Sequence, residues 1–330
     1  MLTLSTSVLA LMIGFLSAAA LGLILIPILK KIKVGQRVSV YVAERHASKN
    51  GTPTMGGLIF IIPTTIIMIV LFMMGKLEMN TNILIVMFVF IGYALIGFLD
   101  DYLSIKRKNN VGLTEIQKIA LQLVIALIFY IIYINSGQEP ILWIASLNIK
   151  INMGWLYGIF ILLVLIGTSN AVNLTDGLDG LAGGLSVISF LAFGIIAYGA
   201  GWISGYRELA VFCFILGGGV LGFLIFNAYP AKVFMGDTGS LALGASLGAV
   251  AILTRYELTL LVIAGVFLVE TLSVIIQVFS ILVLKRKVFL MTPLHHHFEK
   301  LGWVENDIVR LFLVVGLILA MASIGFGVWL

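Results

Sequence analysis

Residues 209–231 read LAVFCFILGGGVLGFLIFNAYPA and contain no charged side chain. About 20 apolar residues in a helix cross the ~30 Å hydrocarbon core of a bilayer, so this run predicts a transmembrane helix. Runs of the same kind recur at residues 1–29, 50–75, 79–99, 119–138, 151–175, 180–206, 238–254 and 311–330, and a further apolar stretch, 258–284, is interrupted only by Glu270. We therefore expect about ten transmembrane helices in one all-α, polytopic membrane domain that covers residues 1–330.

The composition agrees with a membrane location. Sixty-one per cent of the 330 residues are hydrophobic, 11% are charged, and the mean hydropathy is +1.16, whereas soluble domains carry about 25% charged residues. The first run follows no basic residue and ends at Lys30 and Lys31, so we expect a helix there and not a cleaved signal peptide. The single cysteine, Cys213, lies in an apolar run and excludes an intrachain disulfide.

The distribution of Lys and Arg predicts the orientation. If residue 1 lies outside, 16 of the 20 basic residues fall in or beside inside loops and four in outside loops. By the positive-inside rule, both termini are expected outside. The net charge of +5 is spread over the inside loops, which suits anionic head groups and phosphorylated substrates and does not indicate nucleic-acid binding.

Two adjacent acids, Asp100 and Asp101, stand at the predicted inner end of the third helix. Two neighbouring carboxylates repel each other, so the pair needs a cation, or one carboxyl holds a proton and can act as an acid or base. A pair of solvated residues that cap the helix end is the alternative.

The segment Asn170-Ala171-Val172-Asn173-Leu174-Thr175-Asp176-Gly177-Leu178-Asp179-Gly180 joins the fifth and sixth predicted helices. Its glycines allow a ligand to approach the backbone, and it leads into a helix N-terminus, which favours a phosphate or nucleotide. A second such segment, Gly236-Asp237-Thr238-Gly239-Ser240, also precedes a helix. Asp237 suits a Mg²⁺ ligand, because Mg²⁺ takes one or two protein carboxylates plus substrate phosphates; a plain helix cap is the alternative.

Two further inside segments are polar. Lys49-Asn50-Gly51-Thr52-Pro53-Thr54-Met55-Gly56-Gly57 offers a cation, hydroxyls and open amides that suit a diphosphate, without the Walker A spacing. Pro293-Leu294-His295-His296-His297-Phe298-Glu299 has three consecutive histidines, which chelate one metal poorly and suit phosphate contacts or proton transfer better. Within the bilayer, Glu270 is either a functional acid or a helix–helix hydrogen-bonding group.

Together these segments resemble the phospho-N-acetylmuramoyl-pentapeptide-transferase family of the polyprenyl-phosphate N-acetylhexosamine-1-phosphate transferase superfamily. The resemblance covers nearly the whole chain and is carried by residues 51–57, the Asp100-Asp101 pair, residues 173–180, residues 236–240 and residues 293–299. The three histidines after Thr292-Pro293 point to the muramoyl-pentapeptide branch.

The resemblance implies that UDP-MurNAc-pentapeptide and undecaprenyl phosphate give undecaprenyl-diphospho-MurNAc-pentapeptide (lipid I) and UMP, with Mg²⁺ as cofactor. It also implies a homodimer in the bacterial cytoplasmic (inner) membrane, with the active site on the cytoplasmic face. The reaction fits the residues, since a lipid acceptor requires a site at the membrane edge and a nucleotide donor requires cytoplasmic exposure. Direct attack and a covalent phospho-aspartate intermediate both fit the sequence.

The resemblance also implies roles for individual residues. Asp237 would hold Mg²⁺, with Asp100 and Asp101 as further candidate ligands. The Asp pair would position or activate the lipid phosphate, with Asp100 as the base. Residues implied to bind the donor are Lys49, Thr54, Asn173, Asp176, Asp179, Asn227, Phe234, Gly236, Gln277, His295, His296 and His297.

Two other functions compete with this interpretation. A sibling enzyme would take UDP-GlcNAc, and the His triplet argues against it. A secondary transporter would have intramembrane acids such as Glu270, but its polar residues should concentrate at the bilayer midplane. Here nearly all of them lie at inside helix ends.

Overall fold

The computed structural model describes residues 4–31, 51–107, 112–144, 149–200 and 205–328. It is an all-α polytopic membrane protein. The helices are α1 (Leu4–Lys31), α2 (Leu58–Met73), α3 (Thr81–Arg107), α4 (Glu115–Asn135), α5 (Leu156–Thr175), α6 (Leu181–Gly199), α7 (Tyr206–Asn227), α8 (Gly236–Leu253), α9 (Glu257–Ile263), α10 (Gly265–Phe279), α11 (Leu294–Lys300) and α12 (Glu305–Val328).

Nine helices in the described ranges, not ten, are long and apolar enough to cross a membrane. The predicted run 50–75 forms only the 16-residue helix α2, which at 1.5 Å per residue is about 24 Å long. Its first part is not helical because the backbone of residues 53–57 pairs with the loop before α8. The run 238–254, the shortest of the ten, does form a helix, α8.

The run 258–284 was predicted as one transmembrane helix and is divided in the structure. Helix α9 ends at Ile263, Ala264 departs from helical geometry with φ −92° and ψ 21°, and α10 starts at Gly265. Glycine is a weak helix former, so a break here is inexpensive. A π-helical turn, Ser280–Leu284, follows α10.

Helix α8 lies in the middle of the bundle, where α3 and α5 pack along it and α2 approaches its start. Its small residues make this possible, because a Cβ at Gly244 would lie 2.3 Å from the carbonyl oxygen of Thr168 on α5. Helix α7 packs against α1 and α6. A Cβ at Gly218 would lie 2.0 Å from the carbonyl oxygen of Leu11, so α7 and α1 touch through their backbones.

Successive long helices run in opposite directions, so the bundle has two distinct ends. We call the end with the starts of α4, α6, α8 and α12 the polar end. The other end carries a small hairpin, in which strands β1 (Ile141–Ile144) and β2 (Ile149–Asn152) pair antiparallel, with Trp143 opposite Lys150.

Candidate active site

A cluster of two carboxylates and one ammonium occupies the polar end. Lys118, in the first turn of α4, places its Nζ 2.7 Å from Asp237 Oδ2 and 3.4 Å from Asp100 Oδ1. The three side chains are 11–21% exposed, so the cluster is sheltered but open on one side. An ammonium between two carboxylates offsets their repulsion.

The other oxygen of Asp237 is fixed by α5. Asn173 Nδ2 donates to Asp237 Oδ1 at 2.8 Å and lies 2.9 Å from Ser240 Oγ. Ser240 in turn donates to the carbonyl of Gly236. Asp237 therefore has both oxygens oriented by side chains from two different helices.

Adjacent in sequence, Asp100 and Asp101 occupy different environments. Asp100 Oδ1 accepts from the backbone N–H of Leu113 at 2.9 Å and faces Lys118. Asp101 is buried, and its Oδ2 accepts from the N–H and the hydroxyl of Thr238 at 3.0 and 2.6 Å. Asp101 thus tethers α3 to the start of α8, while Asp100 belongs to the open cluster.

Gly236 lies against Asp101 in a left-handed conformation, with φ +73°. A Cβ there would lie 2.5 Å from Asp101 Oδ2 and 2.6 Å from Thr54 Oγ1, so only glycine lets these side chains approach the loop. Thr54 is buried, and its hydroxyl has no hydrogen-bond partner within the described ranges.

Two polar loops that were predicted to bind the donor substrate form backbone hydrogen bonds with each other. The Gly56 N–H donates to Phe234 O at 2.8 Å, and the Phe234 N–H donates to Pro53 O at 2.8 Å. The Phe234 side chain is half-buried. The pairing brings residues 53–57 beside Asp237, whereas Lys49 lies outside the described residues.

Asp179 and Asn227 connect loops. Asp179 Oδ2 accepts from the Ala231 N–H at 2.9 Å. Asn227 accepts from the Gly180 N–H at 3.1 Å and donates to Val233 O at 3.0 Å. Both side chains are buried, so the structure uses them to join the α5–α6 loop to the α7–α8 loop, while Asp176, at the end of α5, is half-buried.

Glu270 and His295 form a buried pair. The His295 N–H donates to Glu270 Oε1 at 3.1 Å, and His295 Nδ1 lies 3.2 Å from Glu270 Oε2. Burial lowers the pKa of the His295 ring, and the contact with Glu270 opposes that shift. The ring is fully buried with its Nε2 toward Gly177, where a Cβ would lie at 2.3 Å. Glu270 is thus a helix–helix hydrogen-bonding group that seats the His motif against the α5–α6 loop.

Gln277 and His297, which were also predicted to bind the donor substrate, form hydrogen bonds to the segment between α10 and α11. Gln277 Oε1 accepts from the N–H groups of Val288 and Phe289, and its Nε2 donates to Phe289 O, all at 3.0 Å. His297 Nδ1 accepts from the Leu290 N–H at 3.1 Å. His296 Nδ1 lies 2.6 Å from Glu299 Oε2, and both histidines are half-buried.

The described residues contain no group of three or more His, Cys, Asp or Glu side chains arranged to hold a metal. Asp100 and Asp237 supply two carboxylates around a point already occupied by an ammonium, and Mg²⁺ needs only one or two carboxylates when substrate phosphates complete its shell.

Sequence reasoning missed Lys118 as a site residue and counted it only among the charges that orient the chain. A signal was present. Thr114 and Gln117 form a capping box, in which Thr114 accepts from the Gln117 N–H and Gln117 accepts from the Thr114 N–H. A capping box marks the residue at which a helix begins. It therefore predicts Lys118 in the first turn of α4, at the same end of the bundle as Asp100 and Asp237.

A bundle of apolar helices whose carboxylates, lysine and amide groups meet at one end has the architecture of a membrane enzyme that handles anionic substrates. The comparisons with known proteins define this class further. Residues 82–255 match the family model described as Glycosyl transferase family 4. Residues 49–61 match the one described as Phospho-N-acetylmuramoyl-pentapeptide-transferase signature 1.

Relatives are similar over almost the whole chain. A phospho-N-acetylmuramoyl-pentapeptide-transferase of Geobacillus kaustophilus is 47% identical over 324 residues, 98% of each chain. The enzyme of the same name from Bacillus subtilis is 46% identical over 322 residues, 97% of each chain. The chain therefore belongs to the phospho-N-acetylmuramoyl-pentapeptide-transferase family, which confirms the predicted resemblance.

Proposed function

We propose that this chain transfers phospho-MurNAc-pentapeptide from UDP-MurNAc-pentapeptide to undecaprenyl phosphate, giving lipid I and UMP. The observation that carries the proposal is the Asp100–Lys118–Asp237 cluster at one end of a membrane-spanning bundle. An oxygen of the lipid phosphate forms a bond to the sugar-linked phosphorus of the donor, and the bond from that phosphorus to the oxygen of UMP breaks. Several phosphate charges meet in this step, so the site must offset them.

Asp237 and Asp100 are the residues we assign to a magnesium ion, together with phosphate oxygens of the substrates. When bound, Mg²⁺ offsets negative charge on the diphosphate. Lys118 Nζ, held 2.7 Å from Asp237, is the cation we assign to contact with a phosphate oxygen of the substrates. Asn173 keeps Asp237 oriented through its 2.8 Å hydrogen bond.

Asp100 is our choice for the group that positions the lipid phosphate and accepts its proton. It faces the open cluster, whereas the Asp101 carboxylate is buried and bonded to Thr238. A phosphate monoester is largely ionised near neutral pH, so positioning contributes more than proton removal. We assign Asp101 to maintaining the contact between α3 and α8.

The donor would bind over the loops that surround Asp237. Phe234, half-buried on the paired loops, is placed to stack the uracil, and Asp176 is half-buried at the end of α5. His296 is our candidate for contact with the sugar–diphosphate. His295, Asn227, Asp179 and Gln277 are bonded to neighbouring chain segments, so we assign them to shaping the pocket.

The polar end faces the cytoplasm in this proposal, with both chain termini on the outer (periplasmic or extracellular) side of the membrane and the enzyme in the bacterial inner membrane as a homodimer. The support for the orientation is the 16-to-four distribution of Lys and Arg. A nucleotide donor is made in the cytoplasm, and the Asp–Lys cluster lies at the same end as Lys30 and Lys31 at the end of α1.

A donor-choice assay tests the function. Purified protein is incubated with Mg²⁺, undecaprenyl phosphate and an equimolar mixture of UDP-MurNAc-pentapeptide and UDP-GlcNAc, and the lipid products are separated by mass. We expect the MurNAc-pentapeptide diphospholipid with stoichiometric UMP. A GlcNAc diphospholipid would identify the sibling activity, and the absence of any lipid product, with uptake of a solute into vesicles, would identify a transporter.

A further inference from the structure

Gly112, in the connection between α3 and α4, lies directly against the carboxyl group of Asp100. Gly112 is buried. A Cβ at this position would lie 2.5 Å from Asp100 Cγ, 2.5 Å from Asp100 Oδ2 and 2.6 Å from the backbone oxygen of Asp100. These distances are far below van der Waals contact, so any side chain at position 112 must displace either the connection or Asp100.

The Asp100 carboxyl group cannot turn away from Gly112 without losing its other contacts. Its Oδ1 accepts from the Leu113 N–H at 2.9 Å and lies 3.4 Å from Lys118 Nζ. Both oxygens belong to one planar group, so a rotation that moves Oδ2 away from Gly112 also moves Oδ1. The backbone oxygen of Asp100 is part of α3 and cannot move independently. A Cβ at position 112 is therefore accommodated only at the expense of the contacts that orient this carboxyl group.

Arg107 holds the same connection from the end of α3. Asp100 and Arg107 are seven residues apart, which is nearly two turns at 3.6 residues per turn, so both lie on one face of α3. Arg107 Nη1 donates to the carbonyl oxygen of Gly112 at 2.7 Å. A hydrogen bond from a charged donor is stronger than one between neutral groups. It keeps Gly112 on the face of α3 that carries Asp100.

The start of α4 fixes the other side of Gly112. Thr114 caps α4 and follows Leu113 directly, and its capping box with Gln117 sets where the helix begins. Gly112 and Leu113 are thus held between the Arg107 side chain and the helix cap. The result is a fixed backbone wall beside Asp100.

We propose that Gly112 is a positioning residue for the transferase reaction: its lack of a side chain lets the connection close on Asp100, and Arg107 maintains that contact. The inference rests on the proposed function, in which Asp100 positions the lipid phosphate. Gly112 acts only through Asp100, whose carboxyl group it keeps directed at Lys118 and the open cluster. Displacing a group at a reaction centre by about 1 Å can cost about 10²-fold in rate.

The first test is Gly112→Ala in the full chain, with UMP release measured per folded protein at saturating substrates and Mg²⁺. We expect kcat to fall by about 10–100-fold, because the added Cβ displaces the Asp100 carboxyl group. The KM for UDP-MurNAc-pentapeptide should stay within about twofold, since the donor loops are not in contact with Gly112. Gly325→Ala is the control, because a Cβ at Gly325 meets no atom within 4 Å, and it should keep its activity.

The second test repeats the substitution in the Asp100→Asn background. If Gly112 acts through Asp100, adding Gly112→Ala to Asp100→Asn should lower kcat by no more than about threefold further. A purely structural role of Gly112 predicts the same loss in both backgrounds. Equal losses in the two backgrounds would therefore overturn the proposal.

The third test concerns Arg107, whose side chain is exposed, so its replacement is not expected to prevent folding. Arg107→Met removes the donor to Gly112, and we expect kcat to fall by about 3–10-fold. Arg107→Lys keeps a cationic donor and should recover part of this loss. Lys106→Met, at the exposed neighbouring position, loses the same charge and is the control. Equal activity of the two methionine variants would contradict the role of Arg107.

The unaltered chain separates a failure of this inference from a failure of the proposed function. If the unaltered chain releases no UMP from UDP-MurNAc-pentapeptide, both are overturned. If it releases UMP and Gly112→Ala is as active as Gly325→Ala, the positioning role of Gly112 is overturned and the proposed function stands.

Discussion

Both ends of the bundle hold acids that are shielded from solvent, partly at the polar end and almost fully at the opposite end, and the partners of these acids differ. At the polar end, Asp100 and Asp237 share the ammonium of Lys118 and are 13% and 21% exposed. At the opposite end, Glu257 is 2% exposed and takes a hydrogen bond from Tyr157, which contacts the hydroxyl of Tyr133 at 3.4 Å. Arg255 lies nearby, but its guanidinium donates to the carbonyls of Glu139 and Ile141.

The difference shows which of the two ends can bind an anionic ligand. At the polar end, the ammonium that pairs with the carboxylates is partly open and can also contact a phosphate. At the opposite end, the Glu257 carboxyl is 2% exposed and held by a tyrosine, so its role is a contact within the protein. The first arrangement suits phosphoryl transfer and the second suits stability.

A large effect on kcat is expected for Lys118→Met, which leaves Asp100 and Asp237 without their shared cation. We expect kcat to fall by about 10²–10³-fold, because a preorganised positive charge is lost where phosphate charges meet. UMP release at saturating substrates is the measurement. Lys76→Met, at an exposed lysine remote from the cluster, is the control and should keep its activity; equal activity in both variants would remove Lys118 from the site.

The pH dependence of stability tests the environment of Glu257, at the end opposite the Asp100–Lys118–Asp237 cluster. The pKa of Glu257 is raised from 4.5 to about 7 by burial, so between these values the folded state binds more protons than the unfolded state, and stability falls as pH rises. Between pH 4.5 and 7.5, the free energy of unfolding of the unaltered chain should fall by up to about 3 kcal/mol. The Glu257→Gln variant should not show this fall. Denaturation at several pH values measures this, and parallel curves for the two proteins would contradict it.

A smaller effect is expected for Tyr157→Phe, which removes the hydrogen bond to Glu257 Oε1. The buried carboxyl then lacks a donor, and we expect a loss of about 1–3 kcal/mol in stability with transferase activity unchanged. Tyr130→Phe is the control, since the Tyr130 ring packs against Gly158 outside this chain of hydrogen bonds. A large loss of activity in Tyr157→Phe at a temperature where it is folded would show that the two ends are coupled.

Much of this architecture could be predicted because charge-free runs of membrane length are explicit in the sequence. The clustering of Asp100, Asn173 and Asp237 could be predicted too, because each stands at the end of a predicted helix on the same side of the membrane. Lys118 could also have been placed at this end from the capping box that begins α4. Its pairing with Asp237 could not be predicted, because it depends on how α4 packs against α3 and α5.

The failures have local physical causes. The run 50–75 was predicted as a full transmembrane helix, but backbone pairing of residues 53–57 with the α7–α8 loop delays the helix to Leu58. The break at Ala264 lies in a wholly apolar stretch, where hydropathy carries no signal. Whether a polar residue binds a substrate or another loop, as for Asn227 and Gln277, depends on contacts that a one-dimensional pattern does not contain.

The most direct test of the central claim is a Mg²⁺ titration of UMP release by the unaltered chain and by Asp237→Asn, with undecaprenyl phosphate and UDP-MurNAc-pentapeptide present. The asparagine keeps the shape and one acceptor oxygen but loses the charge that an ion requires. We expect the unaltered chain to saturate with Mg²⁺ and the variant, folded by its Tm, to release UMP about 10³-fold more slowly. A variant that turns over normally, with an unchanged Mg²⁺ dependence, would contradict the assignment of the Asp100–Lys118–Asp237 cluster as the catalytic centre.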